Sequence, residues 1–426
     1  MKRFFTLFIL ACSLPVVAFS QFTLDSCQKM ARANYPQIKQ YDLIRQSADY
    51  TLANAGKMYL PQISLSAQAT YQSAVTHVNV TIPPNFPFDL KIPSPSKDQY
   101  QTVAQVSQLI WDGGAVKAQK EIAKASSDVD ISKVDVDLYA INDRVNQLFF
   151  GILSLNEQLK QNDLLQNDLS TNADKITAYI SGGVANQADL DNMTVEQLNV
   201  KQIRVQLKAV RKSFFDMLSA LTGTTVNDQT VLVTPDVLLP ATNLTNNRPE
   251  LQLFDAQKRL LESQKSQINA ANLPKISLFL QGGYGRPGLN MLDNSFSPFY
   301  IGGVRLSWNL SGLFYTQKNS LKIIDTSEKS VDAQRETFLF NTNLQQTQQH
   351  SEIEKFQELI KSDDEIITLR HNVKLSSEAK VANGTLSVSD LIRDINAESQ
   401  AKQNKKLHEI QLLQAEYNLK YITNKL

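Results

Sequence analysis

The sequence predicts a mostly helical protein that also carries membrane β-strands, arranged as a strand-strand-long-helix unit that occurs twice. Three observations support this fold class: an ordered internal repeat, four short segments in which apolar and polar side chains alternate, and a coiled-coil seam sustained over several heptads. The 426 residues include only 15 glycines and 14 prolines. Because these residues interrupt regular structure, their low number favours long unbroken elements.

The chain begins with the features of a secretory signal. A basic start precedes an apolar run, and Ala18-Phe19-Ser20 fits the small-x-small pattern in front of a cleavage site at Gln21. We therefore expect residues 1–20 to be removed on export from the cytoplasm. The alternative is that Cys12 ends a lipobox and carries a lipid anchor.

Charge and cysteine content exclude several kinds of protein. The formal net charge is +1, so the sequence predicts no nucleic-acid partner. Cleavage at Gln21 would leave Cys27 as the single cysteine, which makes an intramolecular disulfide impossible. Beyond the leader, no apolar run reaches the roughly 18 residues that a membrane helix needs. Any membrane role must therefore belong to strands or to a surface.

An internal repeat divides the chain. Leu60-Pro61-Gln62-Ile63-Ser64-Leu65 matches Leu273-Pro274-Lys275-Ile276-Ser277-Leu278, Trp111 matches Trp308, and the pattern glycine followed six residues later by Asp-Leu occurs at Gly183 and again at Gly384. The matches keep the same order in both copies, which chance similarity would not do. We therefore expect a first repeat over 21–222, a connector at the waist over 223–246 and a second repeat over 247–426.

Each repeat contains two predicted strands, at about 62–72 and 100–111 in the first and about 275–285 and 299–309 in the second. Apolar residues alternate with polar ones along them, and Arg305 falls opposite the aromatic face. A strand of about ten residues crosses a tilted membrane barrel, and aromatic side chains gather at its interfaces. The predicted membrane-interface aromatics are Tyr71, Tyr100, Trp111, Tyr284, Tyr300 and Trp308. An ordinary periplasmic sheet is the alternative.

The apolar periodicity of the predicted helices is stronger evidence for the fold than the alternation in the predicted strands. One coiled-coil seam has the spacing 4,3,4,3,4,3,4 and comprises Val134, Leu138, Ile141, Val145, Leu148, Ile152, Leu155 and Leu159. A helix over about 116–181 would be roughly 100 Å long, and segments 36–59 and 187–221 stacked end to end would reach about 90 Å beside it. In the second repeat the polar stretch 341–350 interrupts the apolar periodicity, and a wall that faces water would tolerate it.

Four strands cannot close a membrane barrel by themselves. An open edge would leave unpaired N–H and C=O groups in hydrocarbon, and the smallest single-chain barrels have about eight strands. Two, three or four copies would pool eight, twelve or sixteen strands. The strand number therefore implies an oligomer.

Four features of the sequence resemble the TolC-like outer-membrane efflux proteins. They are the duplicated unit, the Leu-Pro-x-Ile-Ser-Leu entry to each first strand, Trp111-Asp112-Gly113-Gly114 at the exit of a second strand and the paired Gly-x-x-x-x-x-Asp-Leu tips. The resemblance implies a homotrimer with a 12-stranded β-barrel in the outer membrane, in contact with its lipid, continuous with a 12-helix periplasmic α-barrel. It also implies a passive exit duct of a tripartite efflux or secretion system, which works with a periplasmic adaptor (membrane fusion) protein and an inner-membrane transporter.

The resemblance places function at the periplasmic tips. It assigns the gate to Asp189 and Asp390, with Arg393 and Asp394 close by, and we expect Arg393 to pair with a neighbouring carboxylate and weaken the negative field. The alternative is that the two aspartates merely begin the following helices. The tips that would dock the adaptor are Gly182, Gly183, Val184, Asn383, Gly384, Thr385 and Leu386.

No catalytic site is predicted. The G-x-G-x-x-G match at 283–288 is followed by a loop instead of a helix, so no phosphate cradle is expected. The four histidines lack metal-ligand spacing, and the sequence predicts neither an enzyme, a cofactor nor a metal site. The loop over about 73–98 is expected to be extracellular. A soluble periplasmic coiled-coil scaffold or adaptor protein remains the alternative to a channel.

Overall fold

The computed structural model describes residues 22–78, 93–236 and 246–424. The predicted signal over 1–20, with Cys12 and Gln21, therefore lies outside the described residues. So do parts of the 73–98 loop and of the 223–246 connector. The predicted repeat boundaries rest on internal sequence similarity and remain a prediction.

The chain is mostly helical, with one small sheet. The order helix, strand, strand, long helix, helix occurs twice, and the first half has the additional helix α1 in front of it. The first half contains α1 (Leu24–Asn34), α2 (Gln40–Gly56), β1 (Gln62–Tyr71), β2 (Asp98–Trp111), α3 (Ala115–Ser181) and α4 (Gln187–Thr222). The second half contains α5 (Pro249–Ala271), β3 (Lys275–Arg286), β4 (Ser297–Ser307), α6 (Gln317–Ala382) and α7 (Val388–Thr423). Short 3-10 turns lie at Pro36–Lys39 and Lys57–Tyr59, and a π-helical turn at Gly312–Thr316.

Backbone contacts divide the chain into two compact units, and each draws on both halves of the sequence. The sheet unit comprises Lys39–Val136 and Arg248–Phe340. The tip unit comprises the described parts of Met1–Ile38, Asp137–Asn247 and Asn341–Leu426. The long helices α3 and α6 contribute residues to both units. The compact units therefore do not coincide with the two repeats, because β2 of the first half pairs with β3 of the second, and α4 of the first half contacts α7 of the second.

The sheet unit is built on a four-stranded antiparallel sheet in the order β1-β2-β3-β4. The register aligns Ile63 with Val106, Val106 with Leu280, and Leu278 with Val304. One face is therefore apolar across all four strands, since side chains alternate between faces. The large exposed residues of this face are Ile63, Leu65, Tyr71, Tyr100, Val106, Leu278, Leu280, Tyr284, Tyr300, Val304 and Leu306.

The opposite face is largely polar. Gln68 Nε2 donates to Gln101 Oε1 at 3.0 Å, and Gln72 Nε2 to Gln99 Oε1 at 3.0 Å. The guanidinium of Arg305 lies 4.6 Å from the ring centre of Phe279, on the face opposite Tyr300 as the alternation predicted. Both faces of the sheet thus follow from the period of two.

The strand boundaries differ from the sequence expectation at two places. β2 begins at Asp98, and β4 runs over Ser297–Ser307, so Trp308 lies just beyond its end. A bulge between Leu109 and Trp111 sets Trp111 opposite Ile276. Without that extra residue, strict alternation would have placed Tyr100 and Trp111 on opposite faces; the bulge brings Trp111 to the apolar face.

The junction from β2 into α3 is fixed by Asp112, which is 2% exposed. Its carboxylate accepts hydrogen bonds from the Val116 backbone N–H at 2.6 Å, the Gly114 N–H at 2.9 Å and the Tyr59 hydroxyl at 2.9 Å. An aspartate that accepts from the first turn of a helix satisfies donors that would otherwise lack partners. Asp112 therefore couples the end of the sheet to the beginning of the long helix.

The predicted coiled-coil seam is confirmed. All eight of its residues, from Val134 to Leu159, are 9% exposed or less, and Val145 is fully buried. α3 and α4 run over almost the predicted ranges. The predicted 36–59 segment is instead an α-helix flanked by two 3-10 turns. The seam is the part of the helical core that the sequence specified most directly, because heptad spacing keeps one stripe on one side of a helix.

The polar stretch 341–350 stays helical within α6. Of its ten residues, Thr342 is the one that is buried. Propensity allows this, since glutamine forms helices readily and solvent can hydrate the side chains. None of the helices in the described part of the chain combines the length and the apolarity that a membrane-crossing helix requires.

Val145→Asp tests the seam. A carboxylate at this fully buried position has no partner, so we expect a loss of roughly 3 kcal/mol in the free energy of unfolding and a lower yield of assembled oligomer. Ser170→Asp, at an exposed position of the same helix, is the matched control. Thermal unfolding followed by circular dichroism measures both variants, and equal midpoints would refute the heptad assignment.

Candidate functional site at the helix tips

The two helical hairpins of the tip unit end in turns with the same backbone hydrogen bonds. After α3, the Val184 N–H donates to the Tyr179 carbonyl at 2.9 Å and the Gly183 N–H to the Ile180 carbonyl at 3.1 Å. After α6, the Thr385 N–H donates to the Lys380 carbonyl and the Gly384 N–H to the Val381 carbonyl, both at 2.9 Å. This is the Schellman pattern. Gly183 and Gly384 adopt φ of 73° and 69°, which explains why glycine stands at both positions.

An apolar cluster lies directly behind the turns and joins all four long helices. Its buried members are Leu169, Ile176, Met193, Val200, Val381, Val388, Leu391 and Ile395. Leu386 packs against this cluster, whereas Val184 is exposed. A methyl group added at Gly384 would lie 3.6 Å from Val184 Cγ1, so the two turns lie side by side. Of the predicted docking residues, Leu386 therefore also serves the local core.

The two predicted gate aspartates lie in the first turns of α4 and α7, and each is hydrogen-bonded to the N-cap residue of its helix. Asp189 and Asn186 form a reciprocal capping box at the start of α4, with N–H to side-chain oxygen distances of 3.0 and 3.2 Å. At the start of α7, the Asp390 N–H donates to Ser387 Oγ at 3.1 Å, and the Ser387 hydroxyl donates back to Asp390 Oδ2 at 2.7 Å. Both carboxylates are half-buried and keep some contact with solvent.

Arg393 pairs with carboxylates as expected. Its Nη1 lies 3.0 Å from Asp390 Oδ1 and its Nε 3.6 Å from Asp394 Oδ1. Asp394 itself is buried, and it accepts a hydrogen bond of 2.6 Å from the hydroxyl of Ser377 on α6. Asp390, Arg393 and Asp394 therefore lie close to one another in the second hairpin, whereas the fourth predicted gate residue, Asp189, belongs to the first. Asp394 binds α6 more than it faces solvent.

An ion cluster around the buried Glu398 and Lys374 lies further along the hairpins, and the sequence analysis missed it. The Glu398 side chain on α7 is 1% exposed and contacts Lys402 Nζ at 2.7 Å, His371 Nδ1 at 2.8 Å and Lys374 Nζ at 3.0 Å. Lys374 Nζ also contacts Asp168 on α3 at 2.7 Å. The cluster therefore ties α6, α7 and α3 together. Its members are far apart in sequence, so only the fold could reveal the cluster.

The environment of Glu398 lowers its pKa. Burial by itself would raise the pKa of this carboxyl, but hydrogen bonds from Lys402, Lys374 and His371 outweigh burial and hold the pKa at about 2. The pKa of Lys374 is raised in turn, because its bonds to Asp168 and Glu398 outweigh the effect of burial. The pair is therefore charged throughout the physiological pH range.

The predicted interface aromatics form two rows at opposite ends of the sheet. Tyr71, Tyr100, Tyr284 and Tyr300 lie at the end that carries the β1-β2 and β3-β4 connections, and Trp111 and Trp308 lie at the helix end. From Tyr100 to Trp111 strand β2 is roughly 36 Å long. For a strand tilted by about 40° from the membrane normal, this length projects to roughly 28 Å along the normal. This spacing fits a lipid-facing apolar band with flanking aromatic girdles.

The loop after β3 adds residues that the sequence analysis missed. The Phe296 ring stacks on Tyr284 with a centroid distance of 5.7 Å. The guanidinium of Arg286 lies 5.4 Å from the ring centres of Tyr100 and Phe296 and is ion-paired with Asp98. Phe296 therefore extends the tyrosine row. Within the described ranges, no group of three or more His, Cys, Asp or Glu side chains could hold a metal ion.

Gly183→Ala tests the tip turn. An alanine at a φ of 73° should cost about 1 kcal/mol in local stability. Gly182→Ala is the matched control, because Gly182 has no positive φ and its added methyl meets neighbours at 3.7 Å. Hydrogen exchange of the amides of residues 176–190 should accelerate in the first variant and stay unchanged in the second. Equal exchange would contradict the assigned turn.

Glu398→Gln tests the ion cluster. Because the folded-state pKa of Glu398 lies below the ordinary value of 4.5, its charge stabilises the fold above pH 4.5, and that stabilisation disappears as the pH falls towards 2. The variant should melt at a lower temperature than wild type at pH 7, and the difference should shrink on acidification. Glu358→Gln, which alters an exposed pair with Lys361, is the control and should leave the midpoint unchanged.

Comparison with known proteins gives the fold of the chain and a family match for its first half. Residues 28–224 match the family described as "Outer membrane efflux protein", and no curated protein matches the chain. The outer-membrane channel OprN covers 94% of this chain and 89% of its own, with a TM-score of 0.65 at 13% identity. The Campylobacter jejuni CmeC outer membrane channel covers 94% and 85%, with a TM-score of 0.63 at 11% identity.

The Neisseria gonorrhoeae MtrE outer membrane channel, solved in its open state, covers 94% of this chain and 88% of its own, with a TM-score of 0.63 at 14% identity. These identities are low, so the three structures establish the shared fold. The family match falls on the first half of the chain, and the second half repeats the same elements. Residues 28–224 therefore match the outer membrane efflux protein family, and the chain as a whole shares the fold of the three outer-membrane channels.

Proposed function

We propose that this protein is the outer-membrane channel of a tripartite efflux or secretion system. In this role it is a passive exit duct with no catalytic activity, and it acts as a homotrimer. The observation that carries the proposal is the exposed apolar face of the sheet, on which Ile63 and Tyr300 are 79% and 80% exposed. A single sheet in water would leave this face without cover, whereas lipid would cover it.

The strand edges support a shared barrel. In the described part of the chain β1 pairs only with β2 and β4 only with β3, so each has one edge without a strand partner. Unpaired backbone groups are very unfavourable in hydrocarbon. If β4 of one copy pairs with β1 of the next, three copies close a 12-stranded barrel in contact with outer-membrane lipid. The long hairpins of α3, α4, α6 and α7 would then pool into a 12-helix barrel on the periplasmic side.

The tips are the proposed gate and docking point. Their turns are short and stiffened by hydrogen bonds, and the cluster behind them ties both hairpins together. A periplasmic adaptor that binds the turns around Val184 and Gly384, together with an inner-membrane transporter, would favour a conformation in which the hairpins separate. The related MtrE channel has been solved in an open state, which supports opening as a change of conformation. Energy and substrate choice would come from the transporter.

The alternative, a soluble periplasmic scaffold or adaptor, needs the sheet to stay in water. Both aromatic rows and the apolar face argue against it, since soluble proteins rarely expose so broad an apolar surface. We therefore retain the channel as the proposed function.

Sedimentation of the full chain with and without detergent tests membrane residence and copy number together. We expect a detergent-dependent trimer that gives stepwise conductance in planar lipid bilayers. The reason is that water solvates the apolar face poorly, and that the open strand edges need protein partners once they lie in hydrocarbon, where no water is present. A water-soluble monomer or dimer without conductance would overturn the channel and favour the scaffold.

The gate is tested by charge. Asp189→Asn combined with Asp390→Asn should lower the cation preference of the channel, because it removes the proposed ring of negative charge. Arg393→Gln should raise that preference, since Asp390 and Asp394 would lose their cationic partner. Asp216→Asn changes an exposed carboxylate that pairs with Lys212 on α4 and serves as the control. Single-channel records identical to wild type in the first two variants would exclude a luminal role.

A further inference from the structure

The segment that connects β4 to α6 exposes large apolar side chains. It begins after Trp308 and contains the π-helical turn Gly312–Thr316. Phe314 and Tyr315 are 72% and 78% exposed, and Leu310 and Leu313 are also exposed. Together residues 310–315 form what we call the aromatic turn. Nothing in the function proposed above uses it.

The aromatic turn is held firmly in place. Trp308 Nε1 donates to the Asn272 carbonyl at 2.9 Å, and Gln317 Nε2 donates to Asn269 Oδ1 at 3.1 Å. A methyl group at Gly312 would lie 2.4 Å from Asn272 Oδ1, so the backbone approaches the end of α5 closely. The two aromatic rings therefore point outward from an anchored turn. Their exposure follows from the backbone path, and π-helical turns often occur at functional positions.

The first repeat lacks this feature. There Trp111 leads through Asp112 directly into α3, and Val116, the first large apolar side chain after Trp111, is buried. The exposed aromatic pair thus belongs to the second repeat alone. The strand-to-helix junction does not in general require exposed aromatic residues, since the junction of the first repeat has none.

Two lysines follow the aromatic turn at helical spacing. Lys318 lies three and four residues beyond Tyr315 and Phe314, and Lys322 lies one turn further along α6. Both are exposed, and neither has an acidic partner within ion-pair distance among the residues that the structure describes. Along the chain, the order is therefore the apolar strand, Trp308, exposed aromatics and then free ammonium groups. This order is typical of a segment that passes through the headgroup layer of a bilayer.

We propose that the aromatic turn lies in the phospholipid headgroup layer at the helix end of the sheet. Phe314 and Tyr315 enter the layer beside the acyl chains, and Lys318 and Lys322 bind lipid phosphates. Continuity with the apolar face through Trp308 favours lipid over a neighbouring copy as the occupant. This inference rests on the proposed function, because it requires the sheet to span the bilayer.

Site-directed spin labelling of the full chain in vesicles of equimolar phosphatidylethanolamine and phosphatidylglycerol tests the inference. Nitroxides are placed by Phe314→Cys and Tyr315→Cys, with Ser330→Cys, an exposed site on α6, as the aqueous control. Leu306→Cys on the apolar face of β4 reports whether the sheet spans the bilayer. Wild type serves as the blank, because Cys27 is fully buried and burial raises its pKa to about 11.

We expect relaxation by oxygen, relative to a water-soluble nickel chelate, to be several-fold greater at Phe314 and Tyr315 than at Ser330. Two outcomes would overturn the inference while Leu306 still reports lipid: accessibility to the nickel chelate equal to that of Ser330, or shielding from both reagents, which would place the turn between copies. A Leu306 label that is open to the nickel chelate would instead refute the membrane-spanning sheet. The two failures are therefore distinguishable.

Discussion

The amphipathic four-stranded sheet, apolar on one face and unpaired at both edges, is the constraint on which the rest of the structure depends. Its register brings the apolar residues of all four strands to one face, from Ile63 on β1 to Leu306 on β4. Water solvates that apolar face poorly. Within hydrocarbon, no water is present to hydrogen-bond the free backbone groups of the edges. In the proposed trimer, further copies and lipid would together satisfy both. Each half of the chain would supply one pair of strands and one long hairpin to that assembly.

The helical hairpins combine two kinds of interaction with different consequences. The buried seam that includes Val145 is apolar and non-directional, so it supplies bulk stability. The cluster around Glu398 and Lys374 is charged and directional. A buried pair contributes little net stability when compared with apolar residues, yet breaking it is costly. The cluster therefore fixes how the helices lie against one another more than how strongly they associate.

At the tips, one set of residues meets two requirements. Asp189 and Asp390 hydrogen-bond to the N-cap residues of their helices, Leu386 packs into the local core, and Gly183 and Gly384 allow the turns to reverse the chain. Residues assigned to a gate by resemblance are thus also structural residues. Substitutions there therefore change stability whatever their effect on the proposed gate, which is why size-conserving changes such as aspartate to asparagine are the informative ones.

The sequence by itself determined the strand faces, the coiled-coil seam and the duplicated order of elements. Their periods, two residues for a strand, 3.5 residues for a coiled coil and one whole repeat for the duplication, can be read from the spacing of residues along the chain. It also determined the turn glycines and the pairing of Arg393 with its neighbours, which are separated by a single helical turn. Only the tertiary structure decided the bulge that moves Trp111 to the apolar face, the Glu398 cluster, the burial of Asp394 against Ser377 and the outward path of the aromatic turn. Each of these depends on which distant segments lie side by side. The local periodicity of the sequence does not specify these long-range contacts.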